Sequence, residues 1–280
     1  MAKSSGSKKG IKTEPEPPAG RMGDHYLLAI AINEYKSCLP LSNCVQDAEE
    51  LIAVLQNQYR FDPEHTITLF EEQATRRNIL KELDGLSSRV GGNDSLLIYF
   101  SGHGEIRRNI GYWVPVEAEP DYVADFISSH DIINHLDAIP SLHTLLVGDA
   151  CFGGSIFSGA KKVLQLPKDF TRASRYGLAS SHSRETASDG LSGEHSPFSL
   201  SLIQELKRNS GPLRISELAP AVAAEVKRRT KEQQNAVFRP LDVKGDDQGI
   251  FVFFPRQDAS SDWVAAQAAH TAAAALQFTP

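Results

Sequence analysis

The sequence predicts an α/β protein with a mainly parallel sheet covered by helices on both faces. Three observations carry this. An apolar run without alternation, YLLAIAI at residues 26–32, has the look of a strand covered on both sides. Such runs alternate along the chain with segments of helical spacing, the pattern of strand–crossover–strand units. Two further runs, LLIYFSGHG at 96–104 and LLVGDACFGGS at 145–155, end in small residues, as buried strands do at a sheet edge. Open α/β sheets place their reactive groups at those edges.

The first 23 residues hold five Lys or Arg, two Glu and almost no large apolar side chain. Such a segment cannot repay its ordering entropy and is expected to be a disordered tail. After the first strand, Val45, Ala48, Ile52, Leu55 and Tyr59 recur at helical spacing, predicting a helix over 44–59 with Asn43 as its cap. HTITLF at 65–70 alternates and reads as the second strand. A helix over 75–90 follows, capped by Thr75 and closed by Gly91-Gly92. The third strand covers 95–100, 112–115 is a short strand candidate, and 128–136 is a helix. The strand that ends at Cys151 is the fourth, and 176–180 returns to the sheet. Phe198, Leu202 and Leu206 mark one helix; Ile215, Leu218, Val222 and Val226 mark another. GIFVFF at 249–254 is read as the strand that closes a six-stranded sheet, and the Ala-rich segment beyond as peripheral.

The 280 residues suffice for a sizeable core, and 41% hydrophobic with 23% charged residues is ordinary globular usage. No apolar run nears the roughly 20 residues that span a bilayer, and the lysine-bearing start lacks an apolar signal region. A membrane is therefore not expected as partner. Three cysteines (Cys38, Cys44, Cys151) make no disulfide framework and fit a reducing compartment, read as the cytoplasm. The net charge of −6 is no nucleic-acid footprint, although an acidic groove favours basic ligands.

A cysteine thiolate is a strong nucleophile, and a nearby imidazole can take its proton. His103 precedes Cys151 by 48 residues, and one crossover between two strands can seat them on adjacent strand ends. Taken singly, a buried cysteine is commonly a small hydrophobe. Jointly, each at a strand end and beside glycines, the two point to catalysis. The backbone N–H groups of Gly104 and Cys151 are the natural oxyanion donors. Paired C-x-x-C or H-x-x-x-H spacing is missing, so zinc is not expected, and GDACFGG lacks the lysine of a phosphate loop. Asp149, two residues before the thiol, is expected on the same side of the strand. Its charge would raise the thiol pKa, so its use there is to bind a basic side chain, or else to serve a turn.

YLLAIAIN (26–33), LSNCVQDA (41–48), LIYFSGHG (97–104) and VGDACFGG (147–154) resemble, in order and spacing, the caspase-like cysteine peptidases, and metacaspases and bacterial relatives more than animal caspases. The resemblance spans about residues 26–254. It implies a three-layer caspase-like fold: a peptidase domain at 24–255, with a large part to about 155, a linker to about 174 and a small part beyond. It implies His103 as general base and Cys151 as nucleophile. It also implies an acidic pocket from Asp47 and Asp149, walled by Cys44 and Ser101, which a guanidinium would enter in bidentate fashion. Protein substrates cut after Arg, then Lys, follow. Regulated proteolysis in stress, cell death or defence is the implied setting, with an upstream activating protease or regulator as partner. Lys161, Lys162, Lys168, Arg172 and Arg175 are the candidate processing sites in or just beyond the linker. No cofactor is called. Many metacaspases need calcium, and Asp121, Asp125, Asp169 and Asp189 are available, but their spacing makes no oxygen-ligand loop. Caspases pair through the last strand of the small part, where 251–254 is expected. The competing class is a catalytically silent caspase-like interaction module, against which the intact His103/Cys151 pair argues.

Overall fold

The computed structural model describes residues 23–151, 153–157, 170–182 and 187–256. The basic leader through residue 22, most of the linker and the Ala-rich segment from 257 lie outside these residues.

Strand β1 (His25–Ala31) has almost every residue buried, as its unbroken apolar run predicts. Helix α1 (Cys44–Gln58) buries Ala48, Leu51, Val54 and Leu55 on one face. Asn43 occupies its N-cap position, but the side chain makes no capping bond. The Asn33 side chain reaches across instead and accepts from the Cys44 N–H at 2.8 Å. Strand β2 (Phe61–Phe70) begins four residues before the expected start. Helix α2 (Arg76–Arg89) starts under the predicted cap, Thr75 accepting from the Asn78 N–H, but ends on extended Val90 rather than on a glycine turn.

Strand β3 (Ser95–Ser101) is buried throughout. After it β4 (Gly104–Arg107) and β5 (Ile110–Trp113) form a hairpin that β6 (Ile127–Ser128) extends into a small separate sheet. Of these only β5 had a sequence signal. Helix α3 (Ser129–Ala138) is set by a capping box between Ser128 and Asp131. Strand β7 (His143–Asp149) and strand β8 (Ser174–Ala179) follow. Helix α4 (Pro197–Arg208) has Ser196 as cap and proline in its first turn. Strand β9 (Leu213–Arg214), helix α5 (Ile215–Arg229), strand β10 (Val237–Pro240) and strand β11 (Val252–Phe253) complete the order.

The main sheet has six strands in the order β10-β8-β7-β3-β1-β2, parallel except for β10 against β8. Period-two alternation divides the core into two layers. Leu97, Tyr99, Leu145 and Val147 face α1, α4 and α5, while Leu96, Ile98, Phe100 and Leu146 face α2 and α3. Three layers result, as predicted. Phe198 and Leu206 of α4 are fully buried in the first cluster, and truncating Phe198 to Ala costs about 3–5 kcal/mol.

One strand assignment is corrected. GIFVFF does not close the main sheet; Val252 and Phe253 pair with Arg214 and Leu213 in a separate two-stranded ribbon. Phe251, Phe253 and Phe254 are all buried, so this segment is a core plug rather than an open edge. The sixth strand is β10, VFRP, whose proline disguises it and is tolerated because the strand lies at the sheet edge.

Candidate active site

Strands β3 and β7 are direct neighbours, with Ser101 opposite Asp149 at their carboxyl ends. The Gly102 N–H continues the contact, donating to the Asp149 carbonyl at 3.3 Å. His103 and Cys151 are thereby carried past adjacent strand ends. How close the two backbones come is shown by Gly104: a Cβ there would stand 2.3 Å from the Cys151 carbonyl oxygen. Gly102 is equally constrained, since a Cβ would meet the Tyr35 hydroxyl at 2.5 Å. That hydroxyl accepts from the His103 N–H at 2.7 Å, and the two rings tilt against each other with centroids 4.7 Å apart.

The imidazole Nε2 lies 2.7 Å from the carbonyl oxygen of Leu39. A carbonyl only accepts, so in the neutral ring Nε2 carries the hydrogen and Nδ1 keeps a lone pair. The Cys151 thiol donates to the carbonyl of Ala187 at 3.6 Å. Burial pushes that thiol's pKa up, and the Asp149 charge adds to the effect. The resting group is therefore S–H, and its activation needs a base.

The acidic pocket is assembled on the α1/α4 side of the sheet. Cys44 and Asp47, three residues apart, share the buried face of the first turn of α1. Asp149 ends β7, and the Ser101 hydroxyl lies against the Cys44 thiol. Both carboxylates converge on the N-terminus of α4. Asp149 Oδ2 accepts from the Ser196 and Ser199 hydroxyls at 2.5 and 2.8 Å, and Asp47 Oδ2 from the Ser196 N–H at 3.1 Å. The helix dipole and these donors offset the cost of burying two negative groups together. They do not offset it fully. Burial, and then the Asp149 charge, raise the Asp47 pKa to about 7, and burial raises that of Asp149.

The sequence matches the family model for the peptidase C14 caspase domain over residues 24–244. The chain belongs to the caspase domain family. Its relatives include metacaspase-1 of Eremothecium gossypii, 29% identical over 150 residues, an alignment covering 48% of this chain and 32% of that protein. Metacaspase-1 of Arabidopsis thaliana is 28% identical over 132 residues, covering 41% of this chain and 35% of that one. The caspase domain described here thus spans about a third of the length of these curated relatives. In fold it is similar to the crystal structure of protein GSU0716 from Geobacter sulfurreducens, with a TM-score of 0.56 and 15% identity over 78% of this chain and 93% of that one.

Within this caspase domain, all four residues expected around the acidic pocket come together, but the details differ from expectation. Asp47 is wholly buried and both its oxygens are engaged, Oδ1 accepting from His195 Nδ1 at 2.5 Å. His195 Nε2 lies 2.7 Å from Glu50, which also pairs with Lys207. A third carboxylate, Asp189, joins the pocket: its Oδ2 accepts from the Ser42 N–H at 2.6 Å, and its Oδ1 is 4.0 Å from the Cys44 thiol. Spacing offered Asp189 only as a calcium ligand, because nothing in the sequence says that the loop after β8 folds back over α1. Asn43 fastens that loop, donating to the carbonyls of Asp189 and Leu191 at 2.5 and 3.0 Å and accepting from the Gly193 N–H. Tyr35, the Leu39 carbonyl and His195 also had no sequence signal, since each acts through a contact made only in the fold, and Ser196 and Ser199 lie in a stretch that resembles the family's small part without any sign of their bonds to Asp149.

Two expectations are corrected. Strand β7 ends at Asp149, so alternation does not extend to Cys151. The Asp149 charge still acts on the thiol. Arg175 is no accessible processing site. It is 5% exposed in β8, and its guanidinium donates to the carbonyls of Ser141, Leu142 and Ser174. Arg172 pairs with Asp247 at 3.6 Å, while Lys161, Lys162 and Lys168 lie outside the described residues. Asp169 also lies outside them, and Asp125 accepts from the Glu119 N–H. Among the described residues no group of three or more His, Cys, Asp or Glu is arranged to hold a metal ion, and no helix is long and apolar enough to cross a membrane.

Proposed function

We propose that this caspase domain is a cysteine endopeptidase that cuts protein chains after Arg, and less readily after Lys. The observation that carries the reading is the convergence of Asp47, Asp149 and Asp189 beside a strand end that carries Cys151, with Gly104 of the neighbouring strand end against the Cys151 backbone. The negative pocket selects a cation, and the thiol attacks the carbonyl of the residue that supplies it. Asp47, buried with its oxygens engaged, contributes charge from behind. Asp149 and Asp189 are the groups that meet the guanidinium.

Nδ1 of His103 takes the thiol proton while Nε2–H stays on the Leu39 carbonyl, which steadies the imidazolium as it forms. Sγ adds to the carbonyl carbon, and the oxyanion turns to the N–H groups of Gly104 and Cys151. Collapse of the tetrahedral adduct breaks the C–N bond, and the imidazolium returns its proton to the leaving amine. A water, deprotonated by the same imidazole, then hydrolyses the thioester. The S–H of Cys151 held on the Ala187 carbonyl supports a latent resting state. That suits regulated proteolysis in which cleavage at Lys161, Lys162 or Lys168, or a regulator, releases it.

Peptide substrates differing only in the residue before the bond test the reading, with Cys151→Ala as control. Arg is expected first, Lys second, and Asp not cut. An Asp substrate turned over faster than its Arg counterpart would overturn it. The interaction-module reading predicts instead that a thiol-reactive Arg-ketone never labels Cys151.

A further inference from the structure

One titratable side chain against the acidic pocket is unused by the mechanism above. His195 stands one residue before Ser196, the cap of α4, and its side chain is 15% exposed. Its two ring nitrogens meet two different carboxylates of α1: Nδ1 lies 2.5 Å from Asp47 Oδ1, and Nε2 lies 2.7 Å from Glu50 Oε2. An ionised carboxylate only accepts, and a neutral imidazole donates from one nitrogen alone. With both carboxylates ionised, both bonds are made only by the imidazolium. The Ser196 N–H takes the other Asp47 oxygen at 3.1 Å, so consecutive residues grip one carboxylate.

The charges around the ring alternate. Asp47 is wholly buried, and Glu50 on the outer side pairs with Lys207 of α4. Counting the imidazolium, negative and positive groups follow one another from the pocket to the surface. Asp149 of β7 acts on Asp47 across the pocket, Asp189 of the loop before His195 turns to Ser42 and Cys44, and Glu194 is exposed. Burial and the Asp149 charge push Asp47 toward its neutral form, whereas His195 and the Ser196 N–H pull it back.

We propose that His195, as an imidazolium bridging Asp47 and Glu50, is the positioning residue that keeps the Asp47 carboxylate charged for a basic substrate side chain. The proposal rests on the Arg-specific reading above and names how that pocket holds its charge. The ring acts through Asp47 and not on the reacting atoms. Glutamine in its place keeps a donor for Asp47 but removes the positive charge. Asp47 then gives up its proton only at higher pH, and less of it is ionised near neutrality. Lysine in its place keeps the charge and can still meet a carboxylate.

The test measures the Kd of an Arg peptide and of its citrulline twin for the Cys151→Ala protein from about pH 6 to 8, alone and combined with His195→Gln or His195→Lys. With His195 in place, the Kd of the Arg peptide is expected to fall as pH rises through about 7. His195→Gln is expected to move that fall up by about one pH unit, which weakens Arg binding about fivefold at pH 7 and leaves citrulline binding unchanged. His195→Lys is expected to keep the profile close to that of the parent. Nitrogen NMR of the His195 ring needs no substitution there, and both nitrogens are expected to carry a proton at neutral pH. A ring with one bare nitrogen overturns the proposal, as does an Arg profile that His195→Gln leaves unmoved. So does citrulline binding that weakens in step with Arg, or an equal change in the Gln and Lys variants, since a merely structural role would give either. Arg bound no more tightly than citrulline while His195 is in place overturns the Arg-specific reading itself, and the proposal with it, so the two failures are distinct.

Discussion

At the scale of single residues, the chemistry turns on where two hydrogens sit. Nε2 of His103 is occupied by the Leu39 carbonyl, which leaves the Nδ1 lone pair for the proton transfer proposed above, and the Tyr35 hydroxyl holds the His103 backbone from the other side. Tyr35→Phe removes the acceptor for a part-buried N–H, an orphan that costs about 1–3 kcal/mol. The variant is expected to lose thermal stability and to lower kcat with little change in KM, read from steady-state kinetics on an Arg peptide. Asp47 supplies a pH effect whose sign can be worked out. Its folded pKa of about 7 lies above the ordinary aspartate value of 3.8, so the folded state holds a proton that the unfolded chain releases. The stability this group contributes is complete below about 3.8 and is lost as pH rises to about 7. Asp47→Asn is therefore expected to flatten the decline of melting temperature over that window, and an unchanged slope would contradict the assignment. Binding runs the other way: KM for an Arg peptide is expected to fall as pH rises through about 7 and Asp47 ionises.

Among the elements, the loop after β8 is decisive, and it was the least legible. The residues of strands β3 and β7 could be read directly, because apolar runs ending in GHG and ACFGG announce both the strands and their reactive ends. Asn43 shows why the loop could not be read. Its place before α1 marks a cap, yet its side chain serves residues 189–193, nearly 150 positions away. Long-range polar contacts leave no periodic trace in a sequence. Asn43→Ala removes three hydrogen bonds to that loop. It is expected to speed amide exchange over 189–193 and to raise KM for Arg peptides about tenfold, the equivalent of roughly 1.4 kcal/mol. Exchange rates matching the wild type would show that the loop is held by something else. The same limit explains β10 and β11. GIFVFF has the composition of a strand but is buried as a plug, whereas VFRP hides an edge strand behind its proline.

Across the whole molecule, the proposed specificity rests on one edge of the main sheet. Asp47, Asp149 and Asp189 converge there, on the side closed by α1 and α4. The three-layer architecture follows from the alternation of apolar runs and helices, so it was visible in the chain. The pairing of Asp47 with Asp149 followed from the family resemblance, whereas Asp189 was not visible, because its place depends on the loop after β8 folding back over α1. The central claim is that charge at this sheet edge chooses the residue before the bond. Its most direct measurement compares matched peptides carrying Arg or its neutral isostere citrulline, with wild type and with Asp149→Asn. The wild type is expected to prefer Arg by about 10- to 100-fold in kcat/KM, the range for a charged hydrogen bond, and Asp149→Asn to lose most of that preference. Equal turnover of Arg and citrulline by the wild type would contradict the account.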